Sequence, residues 1–232
     1  MKGKVYIMDR ASIKLAAKEA FKANYWKSVL AAFILSLFTT YYSVSSGGAT
    51  SSQGVDLSGF SSEQISELFA ALAVTIVVLV VIGVVLKIFV FNPLEVGGFR
   101  FFRKNVEEKN TGLDAIKEGF GDYGRTFVTL FLRDLFLSLW TMLFVIPGLV
   151  KTYSYMLVPY ILKDNPELSA TAAITRSREL MNGHKWEAFV LDLSFIGWYL
   201  LSGLTCGILN IFWTEPYRQS ARAKFYLELL NK

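Results

Sequence analysis

LFAALAVTIVVLVVIGVVLKIFVF, residues 68–91, decides the fold. Its 24 residues carry a single charge, Lys87 near one end. At about 1.5 Å per residue such a helix spans the roughly 30 Å of a bilayer's hydrocarbon core, and Lys87 can reach the interface along its own aliphatic stem. Asn92-Pro93 reads as its stop, because proline cannot continue a helix without losing a hydrogen bond. Around this stretch the whole chain is apolar. Of its 232 residues, 53% are hydrophobic, 15% aromatic and only 19% charged, and the mean hydropathy is +0.40. That excludes a disordered chain, a collagen-like chain and a disulfide scaffold, and it points to an all-α polytopic membrane bundle.

Orientation follows from the 24 Lys and Arg residues. Residues 1–27 hold seven, 28–86 none, 87–125 seven, 126–151 two, 152–185 four, 186–217 none and 218–232 four. Cytoplasmic segments of membrane proteins are enriched in these residues, so each dense block is expected inside and each sparse block is an excursion through the membrane. The expected spans are 28–42, 68–91, 126–146, 149–162, 186–204 and 208–226, six helices in three hairpins with both termini cytoplasmic. Tyr25, Trp26, Tyr41 and Tyr42 bracket the first span as interface aromatics. Residues 43–62, rich in Ser and Gly, are expected to form a mobile outer loop. Pro147-Gly148 separates the third and fourth spans. A single helix kinked there would put Lys163, Arg176, Arg178 and Lys185 outside, so a hairpin is expected instead.

Two inside helices flank these spans. Over 9–24, Ile13, Ala16, Ala17, Ala20 and Phe21 share one face while Lys14, Lys18 and Lys22 recur every four residues on another. This basic amphipathic helix is expected either on an anionic inner leaflet or with its apolar face packed on the bundle. The basic start, the short apolar run and the small residues Ser45 to Ala49 also have the form of a cleaved leader, against which the amphipathic pattern argues. Asn165-Pro166-Glu167 reads as a helix start and Gly183 as a stop, giving a surface-lying inside helix from Pro166 to Asn182. Gly203 and Gly207 have GxxxG spacing, but a turn explains them better.

Ionisable residues within spans are costly, and they are paired or functional by default. Arg133, Asp134 and Asp192 form the candidate polar site, with Lys151, His184, Glu187 and Glu215 as secondary candidates. Arg133 and Asp192 lie at comparable depths in spans three and five, so an ion pair between them is expected. Glu187 and Arg218 are read as snorkelling at the interface. With one histidine and one cysteine, neither a two-histidine mechanism nor a metal site can be assembled, and no catalytic residue, metal or cofactor is assigned. Ser177-Arg178, five residues, then His184 reproduces a fragment of the membrane phosphatases similar to the type 2 phosphatidic acid phosphatases. Ala188 stands where their acid would be, and the rest of the motif is missing. His184 is better read as anchoring the start of span five. The net charge of +5 follows from membrane orientation and not from a nucleic-acid-binding face.

Several segments carry a resemblance. IPGLVKTYSY (146–155), DNPELSA (164–170), SRELM (177–181), GHKW (183–186), LDLSFIGW (191–198) and ARAKFY (221–226) are similar to those of a family of uncharacterised bacterial integral membrane proteins, a domain-of-unknown-function family. The resemblance is dense from about Arg125 onward. It implies a bacterial inner-membrane location and a helical polytopic fold, and it implies no reaction. Three functions are therefore weighed: transport or binding of a small molecule or lipid; an interaction or protective subunit of a membrane complex, or a homo-oligomer; and a lipid-modifying enzyme. The short, Pro- and Gly-broken helices favour the first, because broken helices build cavities.

Overall fold

The computed structural model describes residues 9–47 and 61–231, which are mostly helical with no strand among them. Helix α1 (Arg10–Ala23) is capped by Asp9, whose carboxylate accepts from the amides of Ala11 and Ser12 at 3.0 and 3.3 Å. Its apolar face, Ile13, Ala17, Ala20 and Phe21, is buried against the rest of the bundle, while Lys18 and Lys22 stay exposed. Of the two placements expected for this helix, the structure has packing on the bundle. Helix α2 (Tyr25–Gly47) runs beyond the expected end at Tyr42, and most of the expected loop 43–62 lies outside the described residues.

Helix α3 (Ser62–Leu86) opens with a capping box between Ser61 and Gln64. Asn92-Pro93 does not end it. A five-residue π turn, Lys87–Phe91, carries the chain directly into α4 (Asn92–Glu108), giving one continuous path from Ser66 to Glu108. In this turn the Asn92 amide bonds to the Lys87 carbonyl, five residues back, so the ladder widens where Pro93 lacks a donor. The same device recurs at a second proline, where a π turn over Asn210–Thr214 leads into α12 (Glu215–Leu230) with Pro216 in its first turn.

After α4 come a short helix α5 (Asp114–Lys117) and a 3₁₀ turn, Glu118–Phe120, lying across α4. The contact is glycine on backbone: a Cβ on Gly97 would stand 2.0 Å from the Ile116 carbonyl oxygen, and one on Gly119 would stand 1.9 Å from that of Pro93. Helix α6 (Tyr123–Leu143) then turns back into α7 (Val145–Ser154), and the two pack together with Gly148 against Thr141. This is the expected hairpin, but the break falls at Phe144, whose backbone is extended (φ −156°, ψ 138°). Pro147 lies inside the first turn of α7, where no intrahelical donor is needed.

Helices α8 (Val158–Asp164), α9 (Ala170–Leu180), α10 (Lys185–Leu193) and α11 (Ile196–Leu204) follow. Helix α9 starts four residues later than expected, because the Ser169 hydroxyl accepts from the Ala172 amide and so caps it, while Asn165 to Leu168 form a turn. The expected turn before span six is present: Cys206 and Gly207 adopt positive φ, 50° and 84°.

Four helical stretches among the described residues are long and apolar enough to cross a membrane: Ser66–Glu108, Tyr123–Leu143, Val145–Asp164 and Lys185–Leu204. Six were expected. The segment 28–42 lies within helix α2 (Tyr25–Gly47). The segment 208–226 departs from expectation for a physical reason. Helix α12 buries Tyr217, Ala221, Ala223, Phe225 and Tyr226 together with Glu215, Gln219 and Ser220, so it is the centre of a packed body and shows no apolar face to lipid. That body combines α1, the start of α2, α4, α8, α10 and α12. From it project α3, the α6–α7 tip and α11, whose apolar side chains are open: Met142 is 89% exposed, Ile146 77% and Leu204 82%. Apolar surface of that extent fits a membrane protein.

Candidate functional site

Between body and tips the charged residues meet. Arg133 projects from α6 toward α4, where its Nη1 donates to Glu95 Oε1 at 2.7 Å, and its Nε donates to Asp134 Oδ1 at 2.9 Å. Lys87, in the first π turn, donates to the other oxygen of Asp134 at 2.9 Å. Opposite, Asp192 of α10 accepts from Arg222 through both oxygens, with Nε at 3.0 Å, and Arg218 Nη1 stands 4.0 Å from it. Arg218 donates to Glu215 through Nε and Nη2 at 3.1 and 2.7 Å, and Gln219 Nε2 donates to the same carboxylate at 2.7 Å.

The two networks line one cavity of about 470 Å³, bounded by Leu35, Glu95, Phe99, Arg133, Asp134, Leu137, Thr152, Arg218, Gln219 and Arg222. A neighbouring space of about 230 Å³ shares five of these residues and reaches Tyr153, Met156 and Pro159. Charges balance: Lys87, Arg133, Arg218 and Arg222 are matched by Glu95, Asp134, Asp192 and Glu215. Among the described residues that line this cavity, one buried side-chain polar atom has no hydrogen-bond partner. Gln219 Oε1 is buried without a hydrogen bond, and its identity as the oxygen is fixed because the amide nitrogen must be the atom facing the Glu215 carboxylate.

The sequence-level candidates divide accordingly. Arg133 and Asp134 line the cavity, and Asp192 stands behind it, holding Arg218 and Arg222. The expected Arg133–Asp192 pair is not formed, because each residue has a nearer partner, Glu95 for Arg133 and Arg222 for Asp192. Glu215 reaches the cavity through Arg218 and Gln219, and Arg218 is buried in an ion pair instead of snorkelling. Glu187 also does not snorkel freely, since its carboxylate meets His184 Nδ1 at 2.8 Å. His184 and Glu187 take no part in lining the cavity, and neither does Lys151, which lies over the Trp140 ring. Ser177 spends its hydroxyl proton on the Ser154 carbonyl, and no hydrogen bond among the described residues links it to His184.

Glu95, Gln219 and Arg222 escaped the sequence reading, and Arg218 entered it only as a snorkelling residue. Glu95 falls just past Asn92-Pro93, where the helix was expected to stop, and the arginines were counted as an inside marker. The available signal was spacing: Glu215, Arg218, Gln219 and Arg222 recur at i, i+3, i+4 and i+7, one helical face. A second cluster closes the far end of the body. Asp164 joins Arg100, Arg103 and the Tyr226 hydroxyl, and Glu118 joins Arg100 and Lys104. Burial opposes the Glu118 charge, but the hydrogen bonds from Lys104 and Arg100 outweigh it and hold its pKa below the ordinary glutamate value.

Helices α7 to α12 bring Asp192, Glu215, Arg218, Gln219 and Arg222 to the cavity from one contiguous part of the chain. Residues 143–232 match the family model described as a protein of unknown function, DUF975. The matched segment thus supplies the wall built on α12 and its anchor on α10, while Glu95, Arg133 and Asp134 come from residues before it. The resemblance read in the sequence is to a family of unknown function, and the match agrees over this segment. No curated protein and no solved structure matches the chain.

Proposed function

We propose that this is a bacterial inner-membrane protein that binds, for storage or transport, a small neutral or zwitterionic ligand in the cavity between α4, α6 and α12. The observation that carries this reading is the charge balance around the cavity: Arg133, Arg218, Arg222, Glu95 and Asp134 line it, and Lys87, Asp192 and Glu215 behind them complete the pairing. Guanidinium donors of Arg133, Arg218 and Arg222 stand beside the acceptors Glu95 and Asp134, with Gln219, Leu35, Phe99 and Leu137 completing the lining. A bare anion or cation entering such a space would disturb pairs that already neutralise one another, whereas a ligand with both a donor and an acceptor adds no net charge. The volume suits a small molecule, since ligand sites commonly measure about 300–1,000 Å³.

The test is thermal melting of the detergent-solubilised protein with panels of zwitterionic, anionic and cationic small amphiphiles. A zwitterion at about a hundredfold excess over its Kd stabilises by about 2.7 kcal/mol and raises the melting temperature. In the Gln219→Leu protein the ligand-free melting temperature should fall, because the hydrogen bond to Glu215 is lost, and the rise on adding the zwitterion, read from that protein's own ligand-free value, is expected to shrink or vanish. Stabilisation by anions alone would overturn the reading.

The same proposal places the basic blocks inside and the turn at Cys206 outside. Cys206 is the chain's single cysteine and is exposed. A membrane-impermeant maleimide should therefore label it in cells whose outer membrane has been permeabilised. Labelling confined to inverted vesicles would reverse the orientation.

A further inference from the structure

Where α7 meets α10 there is a second kind of site, with charge but no counter-charge. Helix α7 packs against α10, and there Lys185 shares a groove with Leu149 and Val150, the residues next to Lys151, while Arg178 of α9 lies within electrostatic reach of Lys151. Among the described residues no carboxylate forms an ion pair with any of the three; the nearby acids Glu179 and Glu187 are engaged by Arg176 and His184. The Lys151 ammonium lies over an aromatic face, 4.6 Å from the centre of the Trp140 ring.

Beside these cations runs a groove of about 310 Å³ lined by Leu149, Val150, Tyr153, Lys185, Trp186 and Phe189. It is open, with Trp186 71% exposed and Leu149 56%, and it continues into the bare apolar tip at Val145 and Ile146. The main cavity matches every cation with an acid; here, among the described residues, Lys151, Lys185 and the nearby Arg178 have no acid paired with them, at the border between a packed body and an apolar surface. That is the chemistry of a lipid interface, where phosphate, basic side chains and tryptophan share one level and acyl chains lie against aliphatic residues. We propose that Lys151, Arg178 and Lys185 hold the phosphate headgroup of an anionic phospholipid whose acyl chain lies along the α7–α10 groove. A free phosphate would use the cations and leave the groove empty, so the two-part site selects the lipid. The inference does not depend on a ligand in the main cavity.

Native mass spectrometry of the full chain, released from nanodiscs containing equal phosphatidylglycerol and phosphatidylcholine, tests it. The wild type should retain phosphatidylglycerol preferentially. Each basic residue near an anionic surface contributes about a fivefold factor, so Lys151→Gln/Lys185→Gln should reduce that preference on the order of twentyfold. Lys18→Gln/Lys22→Gln, the same charge loss on the exposed face of α1, should leave it unchanged. Equal retention of the two lipids, equal losses in both double variants, or displacement of the lipid by millimolar inorganic phosphate would each overturn the proposal. Should the groove variant fail to fold, quenching decides. Brominated phosphatidylglycerol should quench wild-type tryptophan fluorescence more than brominated phosphatidylcholine does, and Trp186→Phe should remove most of the difference. No difference in the wild type would overturn the proposal on its own.

Discussion

Asp192→Ala is expected to destabilise the folded protein by about 3–5 kcal/mol, because it leaves the Arg222 guanidinium inside the body without its counter-ion. Arg218, 4.0 Å from the same carboxylate, keeps Glu215 and is affected less. The side chains of Asp192 and Arg222 are 16% and 19% exposed, so solvent replaces little of the lost interaction. Removing both partners should be far less harmful than the single losses suggest, since Asp192→Ala/Arg222→Met contains no orphaned charge. Unfolding in mild detergent by a denaturant series, followed by circular dichroism, gives the four corners of the cycle. A coupling of 1 kcal/mol or more is expected between positions 192 and 222, and a smaller one between 192 and 133, whose partners are Glu95 and Asp134. Additivity at 192 and 222 would mean that the pair does not hold α10 to α12.

Gly119→Ala is expected to be as damaging, for a reason unrelated to charge. The new methyl would lie 1.9 Å from the Pro93 carbonyl oxygen and 2.7 Å from the Gly97 amide nitrogen, both backbone atoms with no rotamer to change. The 3₁₀ turn must lift from α4, opening the contact that also seats Ala115 and Ile116 in the core. Overpacking typically costs about 1–3 kcal/mol, and with backbone on both sides the upper end or beyond is expected. Gly124→Ala is the control. Nothing lies within 4 Å of a Cβ there, and the position is in helix α6, so alanine should stabilise by about 0.5–1 kcal/mol. Melting temperatures moving in opposite directions would confirm the crossing, and a wild-type melting temperature for Gly119→Ala would refute it.

The sequence made α3, the α6–α7 hairpin and the amphipathic face of α1 legible, because each announces itself by hydrophobic period or by charge order along the chain. It made α12 illegible. Glu215, Arg218 and Arg222 are charged residues in a basic tail; their shared face could be counted, but only the fold reveals that α10 brings Asp192 to Arg222. The same limit explains Arg133: its depth in α6 was readable, but its partner Glu95 depended on a helix passing through Pro93. Depth follows from counting along one helix, whereas pairing depends on how helices rotate about their axes.

Those rotations are set in part by the two π turns. Each adds one residue to a helical turn, and one residue of α-helix is about 100° of rotation. The interval 87–91 therefore works as an indexing joint, letting an all-round apolar rod continue as a helix that points Val96, Phe101 and Phe102 into the core and Glu95 at Arg133. A natural variant one residue shorter here would keep its apolar length and still turn Glu95 about a quarter of the way round from its arginine. For this protein the length of Lys87–Phe91 is thus under tighter constraint than its composition: most apolar substitutions leave the angle alone, and a single-codon deletion does not.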